Sequence, residues 1–154
     1  MASGLPDYYR GVDVAYQALS QMIVRPKYGG ALLAWGSKTV TANIQNTLVG
    51  INGRGMIYGG AVWLDYTLPQ ANSQVWLGID GYTVTNLSFE RLLLYSINQS
   101  RSWPVSLLHA DQVNQVYAVG ISYGLTFESQ LVLAYYEQNG TTPTVHYRLI
   151  YALI

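Results

Sequence analysis

Gln74-Val75-Trp76-Leu77-Gly78-Ile79-Asp80-Gly81-Tyr82-Thr83-Val84-Thr85 is the stretch that decides the fold class. Two short runs rich in β-branched and aromatic residues flank Asp80-Gly81. A two-residue Asp-Gly loop supplies the positive φ angles of a type I′ turn, whose twist matches that of paired strands. The spacing predicts a hairpin of 74–79 with 82–85.

The pattern extends in both directions from this hairpin. On the C-terminal side, residues 87–97 read as a short helix opened by Asn86 or Ser88. Residues 103–109, 113–123 and 125–136 read as strands. Asn139-Gly140 turns the last of them toward 144–154. There Val145, Tyr147, Leu149, Tyr151 and Leu153 alternate with His146, Arg148, Ile150, Ala152 and Ile154. The first set forms the more apolar face, and such regular alternation predicts a central or intersubunit strand. On the N-terminal side, 39–48 alternates polar and apolar residues as one strand. Asn52-Gly53-Arg54-Gly55 suggests a hairpin into 56–66, and Gly59-Gly60 suggests a bulge or a close backbone approach.

About eight strands with turn signals at short intervals, and no βαβ rhythm, predict a mainly β chain: an antiparallel β-sandwich or jelly-roll-like domain with one short internal helix. Residues 7–23 carry Tyr8, Val12, Ala15, Tyr16, Leu19, Met22 and Ile23 at helical spacing, and Pro26 ends the run. This predicts an N-terminal helical arm over 1–28 and a β-sandwich domain over 29–154.

Composition narrows the chemistry. The 154 residues hold 8 basic and 8 acidic side chains, so the formal net charge is zero, and charged residues are 10%, against about 25% in ordinary soluble domains. Five basic and two acidic residues lie in 1–54, and three basic and six acidic in 55–154. Five dispersed cations do not make the dense basic patch of a nucleic-acid surface. No Cys is present, which excludes disulfides, zinc ribbons and thiol redox chemistry. No basic and apolar leader opens the sequence and no apolar run is long enough to cross a membrane as a helix, so neither a signal peptide nor a membrane span is expected.

Catalytic patterns are weak. His109 and Asp111 would share a strand face, with His146 as a third zinc-like ligand only by tertiary coincidence. There is no Gly-x-Ser-x-Gly elbow. Gly53-Arg54-Gly55 lacks the Lys-Ser/Thr of a phosphate loop. Asp65, Asp80, Asp111, Glu128 and Glu137 supply carboxylates, but none sits in a recognisable pairing motif. The expectation is no enzyme, no catalytic residues, no cofactor and no metal.

The aromatics stand out instead: 14 Tyr and 4 Trp. Tyr and Trp give rigid, amphipathic contact area and are enriched at interfaces. Candidate interface residues are Tyr8, Val12, Tyr16 and Leu19 on the arm, and Tyr147 and Tyr151 on the last strand. An alternative is a carbohydrate-binding module that stacks sugars on Trp63, Trp76 and Trp103, with Tyr66, Tyr82, Tyr135 and Tyr136 as further rings.

In Tyr8-Tyr9-Arg10-Gly11, in the polar strand Thr39–Asn46 and in the apolar end Leu149-Ile150-Tyr151-Ala152-Leu153-Ile154, the chain resembles small virion proteins of tailed bacteriophages, the capsid-decorating or tail-associated β-sandwiches. The resemblance is one of texture over the full length, without a specific motif. It implies a non-enzymatic structural protein, made in the host cytoplasm and carried in the virion. Such a protein self-assembles, a trimer being the favoured closed form, and docks on other virion proteins. Glycans are a further partner class; nucleic acid is not.

Overall fold

A computed structural model describes residues 30–64, 68–98 and 103–154. The predicted arm with Tyr8, Val12, Tyr16 and Leu19 lies outside the described residues, as do Asp65 and Tyr66. The strands are β1 (Leu32–Thr39), β2 (Gln45–Asn52), β3 (Gly55–Leu64), β4 (Gln74–Ile79), β5 (Tyr82–Thr85), β6 (Val105–Asp111), β7 (Val116–Ile121), β8 (Thr126–Phe127), β9 (Gln130–Tyr136) and β10 (Thr144–Leu153). One short helix, α1 (Phe89–Leu94), follows β5.

All pairings are antiparallel. The larger sheet runs β1-β10-β3-β7-β6, with β8 also on β3; the smaller runs β2-β9-β4-β5. The chain passes repeatedly from one sheet to the other, so neighbours in sequence seldom pair. This is a jelly-roll-like sandwich. The core lies between the inner faces. Ile57, Val62, Val119 and Leu149 come from the larger sheet, Val75, Leu77, Leu131 and Leu133 from the smaller, and Phe89 and Leu92 from α1. Phe89 stacks on Tyr117 at 4.8 Å between ring centroids and 7° between planes.

The predicted hairpin is present. Ile79 pairs with Tyr82, and Asp80 and Gly81 take φ of 52° and 83°. Ser88 caps α1, its hydroxyl accepting from the Arg91 amide. Gly59, at φ 139°, follows a bulge. Opposite it the pairing jumps from Ile150↔Gly59 to Tyr151↔Ile57, leaving Tyr58 as the extra residue. The inward set on β3 accordingly changes from Gly55 and Ile57 to Val62 and Leu64, as an inserted residue requires.

The C-terminal strand is central, between β1 and β3. Val145 and Leu149 are fully buried, and Tyr147, Tyr151 and Leu153 pack against the core. Three sequence expectations differ from the structure. The run 125–136 is not one strand: Thr126–Phe127 pairs with β3 in the larger sheet, and Gln130–Tyr136 belongs to the smaller. The run 39–48 is not one strand: Asn43 takes a positive φ of 58° and the chain changes sheets there. Asn46 closes this corner, accepting from the Thr41 amide at 2.9 Å and donating to the Thr41 and Ile44 carbonyls. Likewise 52–55 does not make a hairpin, because β2 and β3 lie in different sheets. Alternation reports which face a residue takes, but not which sheet it joins.

Candidate functional site

The acidic side chains serve the loops. The Asp80 carboxylate accepts from the backbone amides of Glu128 (2.9 Å), Ser129 (2.7 Å) and Gln130 (3.0 Å), and from the Ser129 hydroxyl (3.0 Å). These amides, Glu128's above all, pull its pKa down to about 2. Asp111 accepts from the amides of Val113 and Asn114 and from the Asn114 side chain. The Asn114 amide is the main reason its pKa is lowered. Burial raises the pKa of Glu137, but the net direction is down, because the Asn43, Asn139 and Gly140 amides and the Thr141 hydroxyl all donate to it. Glu128 pairs with Arg54 at 2.7 Å, both exposed. A carboxylate that accepts several backbone amides is held ionised by the loop it closes.

A buried polar chain continues from Glu137. Thr141 donates to it, Gln70 donates to Thr141, and the Tyr135 hydroxyl donates to Gln70. Burial raises the Tyr135 phenol well above its ordinary value. Gln70, Tyr135 and Glu137 are fully buried, so this network ties loops together beneath the surface.

His109 and His146 occupy the same transverse row on the outer face of the larger sheet, with Trp63 and Ala118 between them. Three interstrand spacings separate them, about 14 Å. Among the described residues no group of three side chains could hold a metal ion.

The aromatics divide. Tyr135 is core, and Tyr147 and Tyr151, expected at an interface, lean on the core from β10. Trp63, Trp76 and Trp103 are not brought together. Trp63 is on the outer face of the larger sheet. Trp76 is on β4 of the smaller sheet and lies along it, close over Gly78. Trp103 is exposed in the segment before β6. Tyr82 is exposed beside its turn and Tyr136 is half-buried on β9.

What the structure assembles is a surface around β1. This strand forms one edge of the larger sheet, and no described residue pairs with its free side. Leu32, Leu33 and Trp35 are 44%, 48% and 72% exposed. On the outer face, Trp35 sits opposite Arg148, Ser37 opposite His146, and His146 opposite Trp63. Trp63 and His146 stack at 5.6 Å and 15°. Together they line an open cleft of about 440 Å³. Trp35 carries no strand signal of its own in the sequence, because Leu32-Leu33-Ala34-Trp35 is apolar at every position and so has no strand period. No protein-family model matches the chain, and no curated protein matches it.

Proposed function

We propose that this chain is a structural subunit of a virion, which associates with copies of itself and with other virion proteins and catalyses no reaction. The observation that carries this reading is the β1 edge, unpaired among the described residues, with Leu32, Leu33 and Trp35 exposed. A long apolar edge strand is a template for pairing with another chain, and monomeric proteins normally blunt or cover it. Low charge and zero net charge favour association in the same direction. The lowered Asp80, Asp111 and Glu137 carboxylates hold loops and are poor proton donors near neutral pH. A closed homo-oligomer is the expected form, since closed point groups are the norm.

The test is the molecular mass of the full chain in solution, by light scattering over a wide concentration range, together with mass spectrometry of purified virus particles. A multiple of the chain mass, and the chain's presence in particles, are expected. A strictly single-chain mass and absence from particles would refute the proposal.

A further inference from the structure

We infer that the cleft between β1, β10 and β3 binds an acidic pyranose, a sugar ring carrying a carboxylate. The inference is independent of the assembly reading, because pairing at the β1 edge uses backbone groups and leaves the outer face of the sheet open.

Four features of the cleft select this ligand. The first is its pair of indoles. Trp35 and Trp63 lie on one face, diagonally across β10, separated by two strand spacings and two residues, which puts their Cα atoms about 12 Å apart. An indole face is electron-rich and attracts the weakly positive C–H face of a sugar ring. The stack of His146 on Trp63 holds one of these rings, while Trp35 stands out from the sheet.

The second feature is the cation. Arg148 lies on the same face, on the strand between the two indoles and opposite Trp35; it is exposed and has no ion-pair or hydrogen-bond partner among the described residues. A guanidinium presents a planar fork that matches a carboxylate with two parallel hydrogen bonds. The neighbouring Lys38 points elsewhere, its ammonium donating to the Thr47 carbonyl at 2.8 Å.

Third, among the described residues no Asp or Glu lines the cleft. Ser37 adds a hydroxyl able to donate or accept. Fourth is size: about 440 Å³ lies within the roughly 300–1,000 Å³ of small-molecule sites. The openness of the cleft, on a sheet face and not in a pit, suits the end of a glycan chain.

The decisive experiment titrates the full chain with methyl glucuronide and methyl glucoside, which differ only in a carboxylate against a hydroxymethyl group, following tryptophan fluorescence. Because Arg148 is exposed, the preference is modest: about fivefold to tenfold for the glucuronide at low salt, shrinking as salt screens the pair. Arg148→Gln removes the preference and leaves the glucoside affinity in place. Trp35→Ala weakens both sugars, and the exposed position of Trp35 keeps this variant folded, which near-ultraviolet circular dichroism checks. Equal binding of the two sugars, no response well into the millimolar range, an unchanged preference in Arg148→Gln, or acetate binding as tightly as the glucuronide would each overturn the inference. None of these outcomes bears on the oligomeric mass.

Discussion

The two edges of the larger sheet are treated differently. At one edge, β6 is interrupted by a bulge at Leu108, and α1 with the residues after it lies alongside. The Leu107 amide donates to the Ile97 carbonyl at 2.7 Å, and Leu92 and Ile97 are buried with the core. At the other edge, β1 keeps a regular register over eight consecutive pairs with β10, and among the described residues it has no cover. Bulges and covering elements are the devices by which proteins protect a sheet edge. The chain uses both at β6; among the described residues β1 has neither. On the assembly proposed above, β1 is the side on which the molecule meets another chain.

The largest effect should follow from removing the cover of β6. Leu92→Ala deletes a side chain only 1% exposed, in the helix that seals this edge. A buried Leu→Ala change costs about 2–5 kcal/mol, read as a lower denaturation midpoint in urea. If the comparison is right, the variant also associates in a new way, through an edge that is closed in the parent. A loss of stability with unchanged association would mean that α1 supports the core without guarding the edge.

A second effect concerns backbone groups satisfied within the chain, a condition that among the described residues the free side of β1 lacks. Asp80 accepts from three successive amides at the start of β9, and its pKa is lowered from 3.8 to about 2. A group depressed in the folded state contributes stability above its unfolded pKa and loses it as pH falls through the folded pKa. The thermal midpoint should therefore drop between pH 4 and pH 2 in the parent. In Asp80→Asn it should be lower at neutral pH, with that part of the acid dependence gone. Parallel pH profiles for the two proteins would remove Asp80 from the account of this corner.

Much of the fold was legible because local chemistry decided it. Asp80-Gly81 and Ser88 carry their turn and cap in their own side chains, and the alternation along 144–154 could be satisfied only by a strand with one face in the core. The corners at 40–44 and 52–55 were not legible as corners. Strand period and turn residues look alike whether the next strand pairs in the same sheet or crosses to the other, and the choice is made by packing of the two sheets. The surface around Trp35 was hidden for a related reason. The edge strand β1 turns only the small Ala34 and Gly36 inward, against apolar Leu33 and Trp35 outward, so it has no polar–apolar alternation to read. Its meeting with Trp63 depends on β10 threading between β1 and β3, which sets Arg148 beside residues more than eighty positions earlier.

A smaller effect is expected at the start of α1. Ser88→Ala removes the hydroxyl that accepts from the Arg91 amide, and loss of such a cap costs about 1 kcal/mol. The midpoint in urea should fall by a matching amount without a change in slope. The effect sharpens the comparison by separating the helix's own stability from its role as cover: a cap loss frays the first turn, while Leu92 stays packed. Association should therefore remain as in the parent.

The smallest effect on stability, and the sharpest test of the β1 edge, is Leu33→Lys. Leu33 is 48% exposed, on the outer face of a strand whose residues are mostly in solvent, and its neighbour across β10 is Ile150. An exposed substitution of this kind changes folding stability by no more than about 0.5 kcal/mol, so the melting curve should stay in place. Lysine on an edge strand is nonetheless among the commonest natural guards against strand pairing, because docking a second chain would strip water from its ammonium. The two readouts should then separate: an unchanged midpoint with a molecular mass reduced toward one chain. The same lysine on β6, at Leu108, should leave the mass alone, since that edge is already guarded. If Leu33→Lys and Leu108→Lys affect the mass equally, or neither affects it, the asymmetry between the two edges has no part in assembly.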